Sequence, residues 1–81
     1  MATKKPSLQV SFARNVKTRR RELRLTQADV AKRMGVTQAR IAEIETGNAN
    51  PRLSTIGRIA KALRTTASQL TLEPPRYGSA W

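Results

Sequence analysis

The chain contains no cysteine and no histidine. Without thiols it has no disulfide staples, thiolate metal sites or thiol nucleophiles, so it suits a reducing compartment without demanding one. Without imidazole the usual zinc sites cannot be built, and the commonest general base at neutral pH is missing. Carboxylates are scarce as well: five Asp and Glu stand against sixteen Lys and Arg, a net charge of +11. No apolar run lasts more than a few positions, so the sequence offers neither a spanning segment nor a signal-peptide core. A cytoplasmic location is expected, with no membrane, metal or cofactor. What the chain does have is positive charge, and at 81 residues there is room for one small domain to carry it. The expected partner is a polyanion, drawn in by long-range attraction and released by salt.

Three stretches can be told apart. Residues 1–9 hold Lys4, Lys5 and Pro6 with little apolar content and read as a basic arm. Residues 73–81 contain Pro74-Pro75, which no helix survives, followed by Tyr77 and Trp81. The body, 10–72, shows helical periodicity throughout and no sustained strand alternation. A first helix is predicted from Ser11 to Leu23 on Phe12, Ala13, Val16 and Leu23. Thr26 opens a second as a capping box with Asp29, and Gly35 ends it. Thr37 caps a third, which carries Ile41 and Ile44 inward and stops at Thr46-Gly47. Ser54 opens a fourth with Leu53, Ile56, Ile59, Ala60 and Leu63 as its apolar spacing, and a short fifth covers Thr66 to Leu70. The fold class expected is all-α, five helices on one core.

The second and third of these helices meet the steric needs of a helix-turn-helix. A steep crossing, roughly 100°, requires a small residue, a glycine at the turn and branched apolar side chains on the second helix. Ala31, Gly35, Ile41 and Ile44 supply them. The outward residues at the start of the third helix then face a DNA major groove. Gln38 suits adenine, Ala39 a thymine methyl, Glu43 the cytosine amino group, and Arg40 either guanine or a phosphate. Thr26 and Gln27, at the start of the second helix, suit a phosphate oxygen, as does the capping Thr37. Asn48, Asn50 and Arg52 form a second candidate backbone contact, although for the two asparagines plain turn chemistry competes. Arg20 falls on the apolar stripe of the first helix and needs a carboxylate, for which Glu45 is available. Lys17, Arg19, Arg21 and Arg24 are read as solvated, with Lys17 and Arg19 placed near the DNA backbone.

The stretch LTQADVAKRMGVTQARIAEIETGNANPRLSTIGRIAKAL, Leu25 to Leu63, resembles the phage-repressor and Cro-like helix-turn-helix proteins, also called the xenobiotic-response-element family. The resemblance rests on the Thr-Gln start, Ala31, Gly35, Ile41, the exit Ile44-Glu45-Thr46-Gly47 and the closing Ile-Ala-Lys-Ala-Leu. It implies a compact five-helix, lambda-repressor-like fold, phosphate contact by Gln27, base contact by Gln38, Ala39 and Glu43, and an Arg20–Glu45 pair. It also implies a homodimer on an inverted-repeat operator, with Lys4 and Lys5 on an arm that wraps the duplex. Ala39 is shorter than the polar residue relatives often carry there, which weakens base readout at that position.

A transcriptional repressor or autoregulator is therefore the leading expectation. An antitoxin with the same fold, using residues 73–81 to hold a toxin or other protein partner, is the nearest alternative. An adaptor that has lost DNA reading is the next. Catalysis is disfavoured: Glu43 and Glu45 point in different directions on one helix, Asp29 is committed to a cap, and no glycine-rich phosphate loop exists. Periodicity does not reveal a dimer surface; the resemblance implies one on the fourth and fifth helices, at Arg64, Thr66, Leu70 and Leu72.

Overall fold

The computed structural model describes residues 7–72, and these form five helices with no strand among them. In chain order they are α1 (Leu8–Glu22), α2 (Gln27–Met34), α3 (Gln38–Glu45), α4 (Leu53–Ala62) and α5 (Ala67–Thr71). Lys4, Lys5, Tyr77 and Trp81 lie outside the described residues, as does the expected role of 73–81.

Local chemistry sets most of the boundaries. Thr26 accepts from the Asp29 amide at 3.0 Å while Asp29 accepts from the Thr26 amide at 2.8 Å, so two otherwise orphaned donors at the start of α2 are satisfied reciprocally. These bonds, backbone first, hold the Asp29 carboxyl below its usual range. Gly35 ends α2 at φ 69°, a left-handed conformation that costs glycine little. Thr37 caps α3 through the Arg40 amide, and Thr66 caps α5 through that of Gln69. The expected α2 and α3 are thus found where their caps put them.

The first helix differs. It begins at Leu8, three residues before Ser11, because Ser7 accepts from the Val10 amide at 3.2 Å. Leu8 and Gln9 accordingly belong to α1 and not to the arm. The fourth also starts one residue earlier than Ser54, with Arg52 as its N-cap and no side chain bonded to its first amides.

Apolar faces from all five helices converge on Phe12, Val16, Val30, Ala31, Met34, Ile41, Ile44, Ile59, Ala60, Leu63 and Leu70. Burying a side chain such as Ile41 or Ile44, 1% and 2% exposed, contributes on the order of 2 kcal/mol. In the packing, α2 and α3 lie against each other, α1 covers α3 and α5, and α4 covers α2 and α5. Two residues depart from expectation. Leu53 sits in the first turn of α4, beyond the reach of the core, and is 83% exposed. Leu70, placed on the dimer surface, instead seals the core between α1 and α4 at 2% exposed.

Candidate nucleic-acid interface

Beside the packing of Ile41 and Ile44, one buried ion pair holds the end of α3. Arg20 in α1 donates from Nε to Glu45 Oε2 at 2.6 Å and from Nη2 to Glu45 Oε1 at 3.0 Å, while its Nη1 bonds the Leu25 carbonyl at 2.8 Å. The glutamate side chain is only 2% exposed and that of the arginine 12%. Gln27 adds a third donor, from Nε2 to Glu45 Oε1 at 3.1 Å. Burial pushes the Glu45 carboxyl up, but the bonds from Arg20 and Gln27 and the charges of Arg20 and Lys17 outweigh it, leaving it below the usual range. The network ties the end of α3 to α1 and to the first residue of α2. The expected Arg20–Glu45 pair is therefore present, and the same bond gives Gln27 a structural role beside the phosphate role proposed from sequence.

With its inner face held this way, α3 turns Gln38, Ala39 and Glu43 to solvent, and Arg40 is half-buried beside them. Arg40 Nη1 reaches Glu43 Oε1 at 2.6 Å, so the two charged candidates are joined in the free protein. Sequence spacing of three residues on a helix was the signal for this pair, and treating the residues singly missed it. Thr26 and Thr37 are exposed at the starts of α2 and α3, their hydroxyl oxygens accepting from backbone amides and their protons left for an outside acceptor. Lys17 lies with Arg14 against Glu45, Thr46 and Gly47 at the far end of α3.

The segment leaving α3 is exposed at Asn48, Asn50 and Arg52. The Asn48 amide donates to Thr46 Oγ1 at 3.1 Å, which is turn chemistry in its backbone and leaves the side chain outward. Arg52 is more informative than its sequence context allowed. A cation at a helix N-terminus opposes the helix dipole, and no side chain occupies the first amides of α4. An incoming anion relieves both.

Arg19 is a correction. It was expected near the DNA backbone, but its Nε and Nη2 bond the carbonyls of Leu63 and Arg64 at 2.9 and 3.0 Å, and Nη1 faces Glu22 at 3.5 Å. It lies one residue along α1 from Arg20, about 100° around the helix, and that rotation carries it to the α4–α5 junction. There it satisfies carbonyls at the end of α4.

Taken together, the described residues form a helix-turn-helix with a polar, exposed second helix and positive charge around it. Residues 16–70 match the helix-turn-helix family HTH_3, and the chain belongs to that family. It is 43% identical over 56 residues to antitoxin HigA1 of Mycobacterium tuberculosis, covering 69% of this chain and 37% of that protein. Among solved structures it is similar to the hypothetical transcription factor NHTF from Neisseria, with TM-score 0.81, 27% identity, and coverage of 91% of this chain and 88% of that one. It is also similar to part of iron(II) HppE, with TM-score 0.78 and 31% identity, covering 82% of this chain but 35% of that one. The chain spans little more than a third of HigA1 and of HppE, so the likeness is to part of each. Among the described residues no group of His, Cys, Asp and Glu is placed to hold a metal ion, and no helix is long and apolar enough to cross a membrane.

Proposed function

We propose that this protein is a sequence-specific regulator of transcription that binds duplex DNA with α3 in the major groove. The observation that carries the reading is the division of α3 into two faces. Ile41, Ile44 and Glu45 are buried and fix the helix, while Gln38, Ala39 and Glu43 are exposed at its open side. In this reading Gln38 pairs with adenine, Ala39 meets a thymine methyl, and the Arg40–Glu43 pair opens on a guanine or cytosine edge. Thr26, Gln27 and Thr37 hold one phosphate run, and Arg52 with Asn48, Asn50 and the first amides of α4 holds another. Lys17 adds charge beside the end of α3. Lys4 and Lys5 extend the contact from the arm.

Binding as a homodimer to an inverted repeat belongs to the same proposal, since two copies double the short stretch of bases one α3 can reach. The test is selection of bound duplexes from a random pool, together with a salt titration of the winner. An enriched inverted repeat is expected, with affinity falling steeply as salt rises. Salt-sensitive binding with no enriched sequence would leave generic DNA binding and remove the regulator.

A second reading draws on the HigA1 relative, named an antitoxin. In this reading the protein also holds a toxin, with residues 73–81 as the segment that contacts it. Co-purification with the product of a neighbouring gene supports that reading, and a monodisperse protein free of any such partner counts against it.

A further inference from the structure

Positive charge is concentrated a second time, away from the residues assigned to DNA. A cleft of about 440 Å³ between the C-terminal ends of α2 and α4 is lined by Arg33, Arg58, Lys61 and Arg64 over a floor of Met34 and Ala62. Two of the cations brace the cleft across its width: Arg33 Nη1 bonds the Ala62 carbonyl at 3.0 Å, and Arg58 Nη2 bonds the Met34 carbonyl at 2.5 Å. These bonds hold each guanidinium in place and leave the rest of its donors unspent.

Helix C-termini attract cations, and that accounts for Arg33 and Arg58. Lys61, in the last turn of α4, answers to the same attraction, whereas Arg64 lies just past the C-cap Leu63. Both are exposed and form no ion pair among the described residues. Every described carboxylate is engaged elsewhere: Glu22 with Arg19, Asp29 in the capping box, Glu43 with Arg40 and Glu45 with Arg20. Arg64 also holds a backbone that L side chains avoid, φ 54°, fixed by the bonds from its own amide to Lys61 O at 3.2 Å and from Thr65 to Ala60 O at 2.9 Å. Glycine suits that position better, and Arg24 takes a similar φ of 58° just past the end of α1.

We propose that this cleft binds a compact multivalent oxyanion, a small molecule bearing several phosphate or carboxylate groups. Fixed guanidinium forks recognise either group bidentately, and Lys61 and Arg64 close around the remaining charge. Met34 lines the cleft and precedes the C-cap Gly35, so a ligand there sits beside the turn that leads into α3.

The test titrates tripolyphosphate and, separately, citrate into the full chain while amide chemical shifts are followed. Three proteins are compared: the parent, Lys61→Gln/Arg64→Gly, and Arg14→Gln/Arg21→Gln, which removes the same charge from the exposed side of α1. Glycine at position 64 relieves the backbone, so loss of binding in that variant is not loss of fold. The expected result is saturable binding with shifts centred on residues 33, 34, 58, 61 and 62, weakened at least tenfold in the first variant and within twofold of the parent in the second. Binding of both anions points to a shared oxyanion chemistry, and binding of tripolyphosphate alone points to a phosphate ligand. Equal weakening in both variants, or shifts centred on α3 and abolished by duplex DNA, would overturn the cleft. Neither outcome bears on sequence-specific reading, which the duplex selection tests separately.

Discussion

Two ion pairs end on α3, both with a closest approach of 2.6 Å, and they do opposite things. The Arg20–Glu45 pair crosses between helices, is bidentate, and carries a glutamate side chain only 2% exposed. The Arg40–Glu43 pair lies along one helix with side chains 40% and 58% exposed. Distance therefore says nothing about which pair holds the fold. Burial decides: removing one partner of a desolvated pair strands the other charge, whereas an exposed partner returns to water at little cost. The first pair is rigid and aims the helix. The second is free to exchange its internal bond for a base edge.

The largest effects should come from the aiming side. Ile44→Ala opens a cavity beside the Glu45 anchor and is expected to lower unfolding free energy by about 3 kcal/mol in a urea titration. For a domain whose whole stability is on the order of 4–10 kcal/mol, that is a large share. Glu45→Ala should cost a similar amount, about 3 kcal/mol, by leaving Arg20 half-buried and unpaired. A loss as small as that at an exposed pair would mean that Arg20 reaches water freely and that the comparison above is wrong.

The same pair predicts a pH response. Glu45 titrates below its ordinary range in the folded protein, so the stability it contributes is complete above the unfolded carboxylate's range. That contribution is lost as pH falls from there through the depressed folded value. Thermal unfolding measured from neutral pH downward should show the decline in the parent, and a flatter profile in Glu45→Gln.

On the reading side the fold should be nearly indifferent. Gln38→Ala is expected to leave unfolding unchanged while reducing discrimination at one base pair by about 1–3 kcal/mol. Smallest of all is Glu43→Ala, expected to alter stability by less than about 0.5 kcal/mol. A larger stability loss would promote the Arg40–Glu43 pair to a structural role.

How much of this was legible beforehand follows the same division. The limits of α2 and α3 follow from Thr26, Gly35 and Thr37, because caps are local chemistry written in adjacent residues. Arg20 could be paired with Glu45 because an arginine on an apolar stripe requires an acid, and few acids exist. What escaped was decided by three-dimensional rotation and depth. Arg19 and Arg20 are neighbours in sequence yet serve different ends of the molecule. Leu53 and Leu70 are both leucines at helical spacing, but one overhangs the core and the other closes it. Ser7 starts α1 ahead of an exposed Leu8, where apolar periodicity had no inward residue to mark. Gln38, Ala39 and Glu43 follow from the sequence as the positions that remain once the inward residues of α3 are assigned, and the structure finds all three exposed.

The central claim is that α3 specifies sequence while α2 only sets register. The measurement that tests it most directly is a comparison of duplex preference for Gln38→Ala and Gln27→Ala, each selected against the same random pool and matched for folded fraction. Gln38→Ala should change which bases are enriched, and Gln27→Ala should weaken every site alike with the preference intact. The reverse pattern, a changed preference from Gln27→Ala and uniform weakening from Gln38→Ala, would contradict the docking of α3 in the major groove.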